Sequence, residues 1–209
     1  GDNADQSLGT LKDGIDLLKI HLTKNGIRSG SKVLICLGNT TSFCKYFFAL
    51  WEIGACIVPV SSLATELEIR FIIEQVNPAL VVYLDGKEVF MKNDFDEKLS
   101  HSLILFTSGS SGRPKGVCLS REALFKKMIT YRDNLPVHHF SRTLCMLPLN
   151  FGHGLITNFL FPIFMNQQVV LAPSSRMDIY SSLGKIIDDY SITCFSSVPS
   201  IFKIANSFG

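Results

Sequence analysis

Apolar positions along this chain recur with two alternating periods. Leu8, Leu11, Ile15, Leu18 and Leu22 follow helical spacing, and Asn25-Gly26 supplies a stop. Lys32 to Leu37 is an apolar run of strand length. Gly38-Asn39-Thr40 then turns the chain, and Ser42 to Gly54 predicts a helix that buries Phe43, Phe47, Leu50 and Trp51. Ile57 to Val60 is again strand-like. Thr65 with Glu68 makes a capping box that opens a helix through Val76, Asn77-Pro78 stops it, and Ala79 to Leu84 predicts the next strand. Strand-length runs alternating with helical ones predict an α/β fold of layered βαβ units with mainly parallel sheets.

Residues 85 to 100 are more charged and loop-like, which places a lobe boundary there: a first α/β lobe over 1–98 and a second over 99–209. The second half restarts the alternation. Ser102 to Phe106, Thr143 to Leu147, Gln168 to Ala172 and Ile192 to Phe195 predict strands. Ser120 can cap a helix running to about Arg132, with Glu122 at its positive end. Asp178 to Tyr190 has a helical pattern. Leu155 to Met165 is apolar all round, as in a buried helix, although Pro162 interrupts it.

Composition narrows the function classes. Of the 209 residues, 46% are hydrophobic and 18% charged, against roughly 25% charged in an average soluble domain. Sixteen Phe with so few charges demand a packed core and exclude intrinsic disorder. A formal net charge of +2 is too small to make nucleic acid or an acidic membrane surface the main partner. The longest apolar stretch, Phe159 to Met165, falls far short of the ~20 residues of a membrane helix. None of the six Cys forms a CxxC pair, and each has an apolar neighbour, so buried free thiols in a reducing cytosol are expected. No Cys/His cluster has zinc-ligand spacing, so no metal ligands are expected. The polar, acidic start Gly1 to Ser7 is the wrong opening for a signal peptide, and the chain is expected to be cytoplasmic. The low charge implies either a large core or apolar surface that normally meets something else.

One segment carries chemistry. Leu103-Ile104-Leu105-Phe106 runs into Thr107-Ser108-Gly109-Ser110-Ser111-Gly112-Arg113-Pro114-Lys115-Gly116. Glycines let consecutive backbone amides approach an anion, Ser and Thr add neutral donors, and Lys115 adds a positive charge. That combination suits a polyphosphate. A flexible Ser/Gly linker would not be fused to an apolar strand and closed by Arg-Pro-Lys-Gly. A Walker loop fails on spacing, because Pro114 precedes Lys115 and Gly116 follows it. A dinucleotide fingerprint starting at Gly152-His153-Gly154 fails too, since Thr157 stands where the last Gly belongs.

Thr107 to Gly116 resembles the signature loop of the adenylate-forming superfamily, [Ser/Thr]-Ser-Gly-[Ser/Thr]-[Ser/Thr]-Gly-x-Pro-Lys-Gly, at every position. This superfamily includes acyl-CoA synthetases, adenylation domains of nonribosomal peptide synthesis and firefly-type luciferases. Leu50 to Val60 is similar to the family's Leu-x-x-x-Gly-Ala-x-x-x-Pro-[Leu/Ile/Val] element, and Gly26 to Asn39 resembles the segment before it. Leu147-Pro148-Leu149 and Gly154-Leu155 bracket a Leu-Pro-Leu-Phe-His-x-x-Gly-Leu segment that lines the acyl pocket in the family. The resemblance covers about residues 8 to 209.

The resemblance implies the partial N-terminal domain of an enzyme that joins a small carboxylic acid to AMP using ATP and Mg2+. Pyrophosphate leaves, and the acyl group then passes to the thiol of CoA or of phosphopantetheine on an acyl carrier protein. Thr107, Ser108, Gly109, Ser110, Ser111, Gly112, Lys115 and Gly116 would hold the ATP phosphates. Asn150, Phe151, His153 and Gly154 would line the acyl pocket. The usual aromatic-His pair is replaced by Asn150 and Phe151, so His153 reads either as a carboxylate-side residue or as a packed or solvated loop histidine. Nothing between Leu147 and Leu155 is acidic, which disfavours an α-amino acid. Val198-Pro199-Ser200 resembles another pocket-edge segment, and reads equally as a helix start with an early proline. The family's magnesium, ribose and lid motifs, with the lid's adenylation lysine, would fall beyond Gly209. No catalytic residue is therefore expected within the chain, the missing remainder of the domain is an expected partner, and the chain alone is expected to be inactive. Two other readings remain: a short non-catalytic module of the same fold that binds nucleotide or a partner, and an unrelated α/β phosphate-binding protein.

Overall fold

The computed structural model describes residues 8–92, 101–107, 114–173, 177–199 and 202–203. The chain divides into two compact units. The first comprises Gly1–Leu37, Thr41–Ile104 and Cys118–Ser120; the second comprises Gly38–Thr40, Leu105–Val117 and Arg121–Gly209. The 98/99 boundary expected from the sequence lies outside the described residues.

In the first unit, helix α1 (Leu8–Lys24) precedes strand β1 (Lys32–Ile35), α2 (Thr41–Ile53), β2 (Cys56–Pro59), α3 (Glu66–Val76) and β3 (Leu80–Val82). β1 pairs in parallel with both β2 and β3. Val33, Leu34, Ile35, Ile57, Val58 and Leu80 to Val82 are all fully buried. A strand covered on both faces has no polar side to alternate with, which is why these runs read as continuous apolar stretches. Helix ends follow local chemistry. Thr65 and Glu68 form the reciprocal capping box, with the Thr65 N–H donating to Glu68 Oε2 at 2.7 Å. Asn77 ends α3 in the left-handed region. α2 ends at Gly54, whose φ of +84° few other residues tolerate. There the Ala55 N–H reaches Leu50 O at 3.0 Å and the Gly54 N–H reaches Trp51 O, a Schellman close. Phe43, Phe47 and Leu50 are buried as expected, whereas Trp51 is only half-buried and stacks on Phe47.

Two strands escaped the sequence pattern. β4 (Glu88–Phe90) lies within the stretch read as a loop and pairs antiparallel with β3. β5 (His101–Thr107) is followed by β6 (Lys115–Ser120), and the sheet order is β4-β3-β1-β2-β5-β6. β6 is mostly exposed, so it has no apolar rhythm. Cys118 on β6 is therefore exposed, and Cys194 half-buried, against the expectation that all six thiols are buried; Cys36, Cys44, Cys56 and Cys145 are buried.

The second unit contains α4 (Arg121–Asn134), a 3-10 turn (Val137–Phe140), and the parallel strands β7 (Arg142–Cys145), β8 (Gln168–Leu171) and β9 (Cys194–Phe195) in the order β8-β7-β9. The apolar segment before β8 is two helices. His153–Leu160 is a π-helix, and α5 (Phe161–Phe164) continues it, with Pro162 just past the junction. The helix expected over 178–190 is broken at Ser182 into α6 (Met177–Ser181) and α7 (Leu183–Asp189).

Candidate functional site

In a parallel sheet, ligands gather where the strands end at their carboxyl termini. In the second unit those ends carry Met146 to Phe151 after β7, Ala172 after β8 and Ser196 to Val198 after β9. The chain leaves β7 through a tight turn in which the Phe151 N–H donates to Pro148 O at 3.1 Å, and the π-helix follows. Gly154 packs directly on this turn. A Cβ there would collide with the Pro148 carbonyl oxygen and lie 2.8 Å from Leu147 O, so only glycine fits.

The π-helix aims polar groups at the end of β9. His153 Nε2 lies 2.7 Å from Ser196 Oγ, and Asn158 Nδ2 donates to Ser196 O at 3.1 Å. These two positions are five apart. In an α-helix they would diverge, whereas the wider turn of a π-helix brings i and i+5 toward one face. Ser196 is thus held by its side chain and by its backbone from the same helix face. Beside it, Ser197 Oγ is buried with no hydrogen-bond partner among the described residues. Such a group is available to a bound molecule.

The same unit holds the stem of the Ser/Gly loop. Thr107 ends β5 and Lys115 begins β6, and the Thr107 hydroxyl donates to Lys115 O at 3.4 Å. Lys115 and Gly116 are exposed. Ser108, Gly109, Ser110, Ser111 and Gly112 lie outside the described residues. The stem lies close to the segment expected to line an acyl pocket: a Cβ on Gly152 would stand 3.5 Å from Leu105 Cδ1. Leu105 is two residues before Thr107, and Gly152 is one before His153. Of the expected pocket residues, Gly154 is buried, Asn150 half-buried, and His153 and Phe151 exposed.

Asn158, Ser196 and Ser197 were not singled out from sequence, and Asn39 was read only as part of a turn, with no role in a site. Each of the serines follows a predicted strand, as the hydroxyls after β5 do, and that position was the signal to be had. The first unit has a separate open cleft of about 630 Å3 beyond β1 and β3, lined by Cys36, Ser61, Ser62, Tyr83 and Lys87 among others. Burial pushes the Cys36 thiol up to about 12, so it is no thiolate at neutral pH. Among the described residues no three His, Cys, Asp or Glu side chains converge to hold a metal, and no helix is long and apolar enough to cross a membrane.

The family model "AMP-binding enzyme" matches residues 7–103 and 97–207. Vanchrobactin synthetase VabF of Vibrio anguillarum is 23% identical over 202 residues, covering 86% of this chain and 7% of that protein. The long-chain-fatty-acid–CoA ligase FadD13 of Mycobacterium tuberculosis is 22% identical, covering 73% of this chain and 37% of the ligase. The chain therefore spans well under half the length of these relatives. The structure of o-succinylbenzoate CoA synthetase (MenE) from Bacillus subtilis, in complex with an acyl-adenylate intermediate, superposes with a TM-score of 0.82 at 17% identity, covering all of this chain and 60% of that one. The fold is that of the N-terminal domain of adenylate-forming enzymes. Because the match runs through both halves of the sequence, and not through the Ser/Gly loop alone, the chain belongs to the AMP-binding enzyme family.

Proposed function

We propose that the protein containing this chain activates a carboxylic acid. The carboxylate oxygen attacks the α-phosphorus of MgATP, pyrophosphate leaves, and an acyl-adenylate forms. The thiol of CoA, or of phosphopantetheine on a carrier protein, then takes the acyl group and AMP leaves. The observation that supports this most is the closeness of Leu105 to Gly152, where an added Cβ would stand 3.5 Å from Leu105 Cδ1, so that the stem of the Ser/Gly loop and the His153 segment are near one another in one unit.

Two anions must meet in this reaction, so positioning and charge neutralisation dominate. Thr107 to Gly116 would cradle the outer phosphates, with Lys115 as the counter-charge. His153, steadied by Ser196, would face the acid's carboxylate, with the Ser197 hydroxyl as a further donor. Asn150, Phe151 and Gly154 would form the pocket wall. The lack of an acidic side chain from Leu147 to Leu155 favours a plain carboxylic acid over an α-amino acid. We place the enzyme in the cytoplasm, where its nucleotide and thiol substrates are, with the boundary between its two lobes near residue 98 of the sequence. Adenylation would need parts outside this chain, which spans 60% of the MenE structure.

The test is acid-dependent exchange of pyrophosphate into ATP by the full-length protein over a panel of carboxylic acids. Exchange is expected with at least one plain acid, and Lys115→Ala should lower it roughly 10²-fold, the scale of losing one transition-state charge partner. ATP binding without exchange on any acid would overturn carboxylate activation in favour of a non-catalytic nucleotide-binding module.

A further inference from the structure

The parallel ladder between β7 and β8 runs in register from Arg142↔Gln168 to Cys145↔Leu171 and ends where the Ala172 N–H donates to Cys145 O at 3.0 Å. Beyond that point the two strands part, and a side chain from elsewhere enters the gap. Asn39 is buried, and its Nδ2 donates to Leu147 O and to Ala172 O, each at 3.0 Å, while its Oδ1 accepts the Leu149 N–H at 3.0 Å. The amide uses both donors and one acceptor site. It takes over as ladder partner where the strands diverge, and so holds open the end at which a ligand would enter.

Leu147 O is fixed twice. Asn39 bonds it, and Gly154 packs on the same Leu147-Pro148 backbone. The turn between them leads directly into Asn150, Phe151 and His153. We propose that Asn39 is the positioning residue of the acid-binding end, setting His153 against the substrate by clamping Leu147 to Leu149. The proposal rests on the pocket reading given above. An apolar side chain of similar size would fill the gap but would take this partner from the Ala172 carbonyl and the Leu149 N–H, and would leave Leu147 O with the Cys145 thiol at 4.0 Å. An aspartate would keep the acceptor and lose both donors.

Asn39→Asp in the full-length protein tests this with two independent readouts. Hydrogen exchange followed by mass spectrometry should show protection over residues 147–152 falling about tenfold or more, while β1 and β3 keep theirs. In the exchange assay, KM for the acid should rise about tenfold with KM for ATP within about twofold, because binding at one end alone is disturbed. Lowering the pH should partly restore the acid KM, since a protonated carboxyl regains one donor. Unchanged protection over 147–152, protection lost equally in β1 and β3, or KM for ATP rising in step with KM for the acid would each overturn the proposal. If Asn39→Asp does not fold, Asn39→Ser, which keeps one donor, carries the same expectations at smaller size. Should the wild type activate no acid, the carboxylate-activation reading fails, and hydrogen exchange still decides whether Asn39 clamps the turn.

Discussion

The two units use their interiors differently. In the first, the central strands are sealed by aliphatic side chains, and Ser31 is the one buried polar side chain among the described residues there. In the second, Asn39, Thr143 and Asn158 are buried, and two of them bond backbone at the carboxyl ends of strands. Aliphatic packing is tolerant of shape and indifferent to direction, whereas a buried amide is costly unless every bond is made. The first interior therefore holds a sheet together, while the second fixes particular carbonyls in particular places. Direction is what a binding site needs.

The difference can be broken in order of expected effect. Leu34→Ala, in the middle of β1, should cost about 2–5 kcal/mol, read as a shift in the urea midpoint of Trp51 fluorescence. Trp51 is the single tryptophan of these 209 residues and sits in the first unit, so with any tryptophan elsewhere in the full-length protein replaced by phenylalanine it reports that unit alone. Gly154→Ala should cost about 1–3 kcal/mol by overpacking, with protection from hydrogen exchange lost over 147–155 and the Trp51 midpoint unmoved. A Trp51 midpoint that moves as far as it does with Leu34→Ala would show the interiors to be one cooperative structure. Thr65→Ala should cost about 1 kcal/mol by removing the α3 cap. That cap is also pH-sensitive. Hydrogen bonds from the Thr65 backbone and hydroxyl hold the Glu68 carboxyl below its ordinary range. A depressed folded-state value adds stability that is present above the unfolded value and lost as pH falls through the folded one. Glu68 is almost fully solvent-screened, so the effect is small, and the cost of Thr65→Ala should shrink in acid.

What sequence made readable follows the same division. β1, β2 and β3 announced themselves because strands covered on both faces are continuous apolar runs, and the α3 cap because Thr65 and Glu68 speak only to each other. β6 did not, because exposed Lys115 to Cys118 carry no burial pattern. β4 did not, because Glu88-Val89-Phe90 is short and its pairing with β3 is a tertiary event. The segment from 155 to 165 was recognisable as a buried helix, but its wider winding goes with two tertiary contacts that no period reports, Gly154 against the Leu147-Pro148 backbone and Asn158 to Ser196. The Ser/Gly loop stood out by composition, whereas Asn39, Ser196 and Ser197 are ordinary polar residues until the fold brings them to strand ends.

The reach of Asn39 has a temporal side. Its carbonyl partners lie 108 and 133 residues later in the chain. At roughly 5–20 residues per second, a ribosome takes about 7–27 s to synthesise as far as Ala172 after completing Asn39. Until Leu147 is added, 108 residues on, the Asn39 amide lacks both of its carbonyl partners, while β1, β2 and β3 are already made and can pair. Its loop is thus committed late, and a nascent chain stalled before residue 172 would carry a finished aliphatic sheet and an unset pocket.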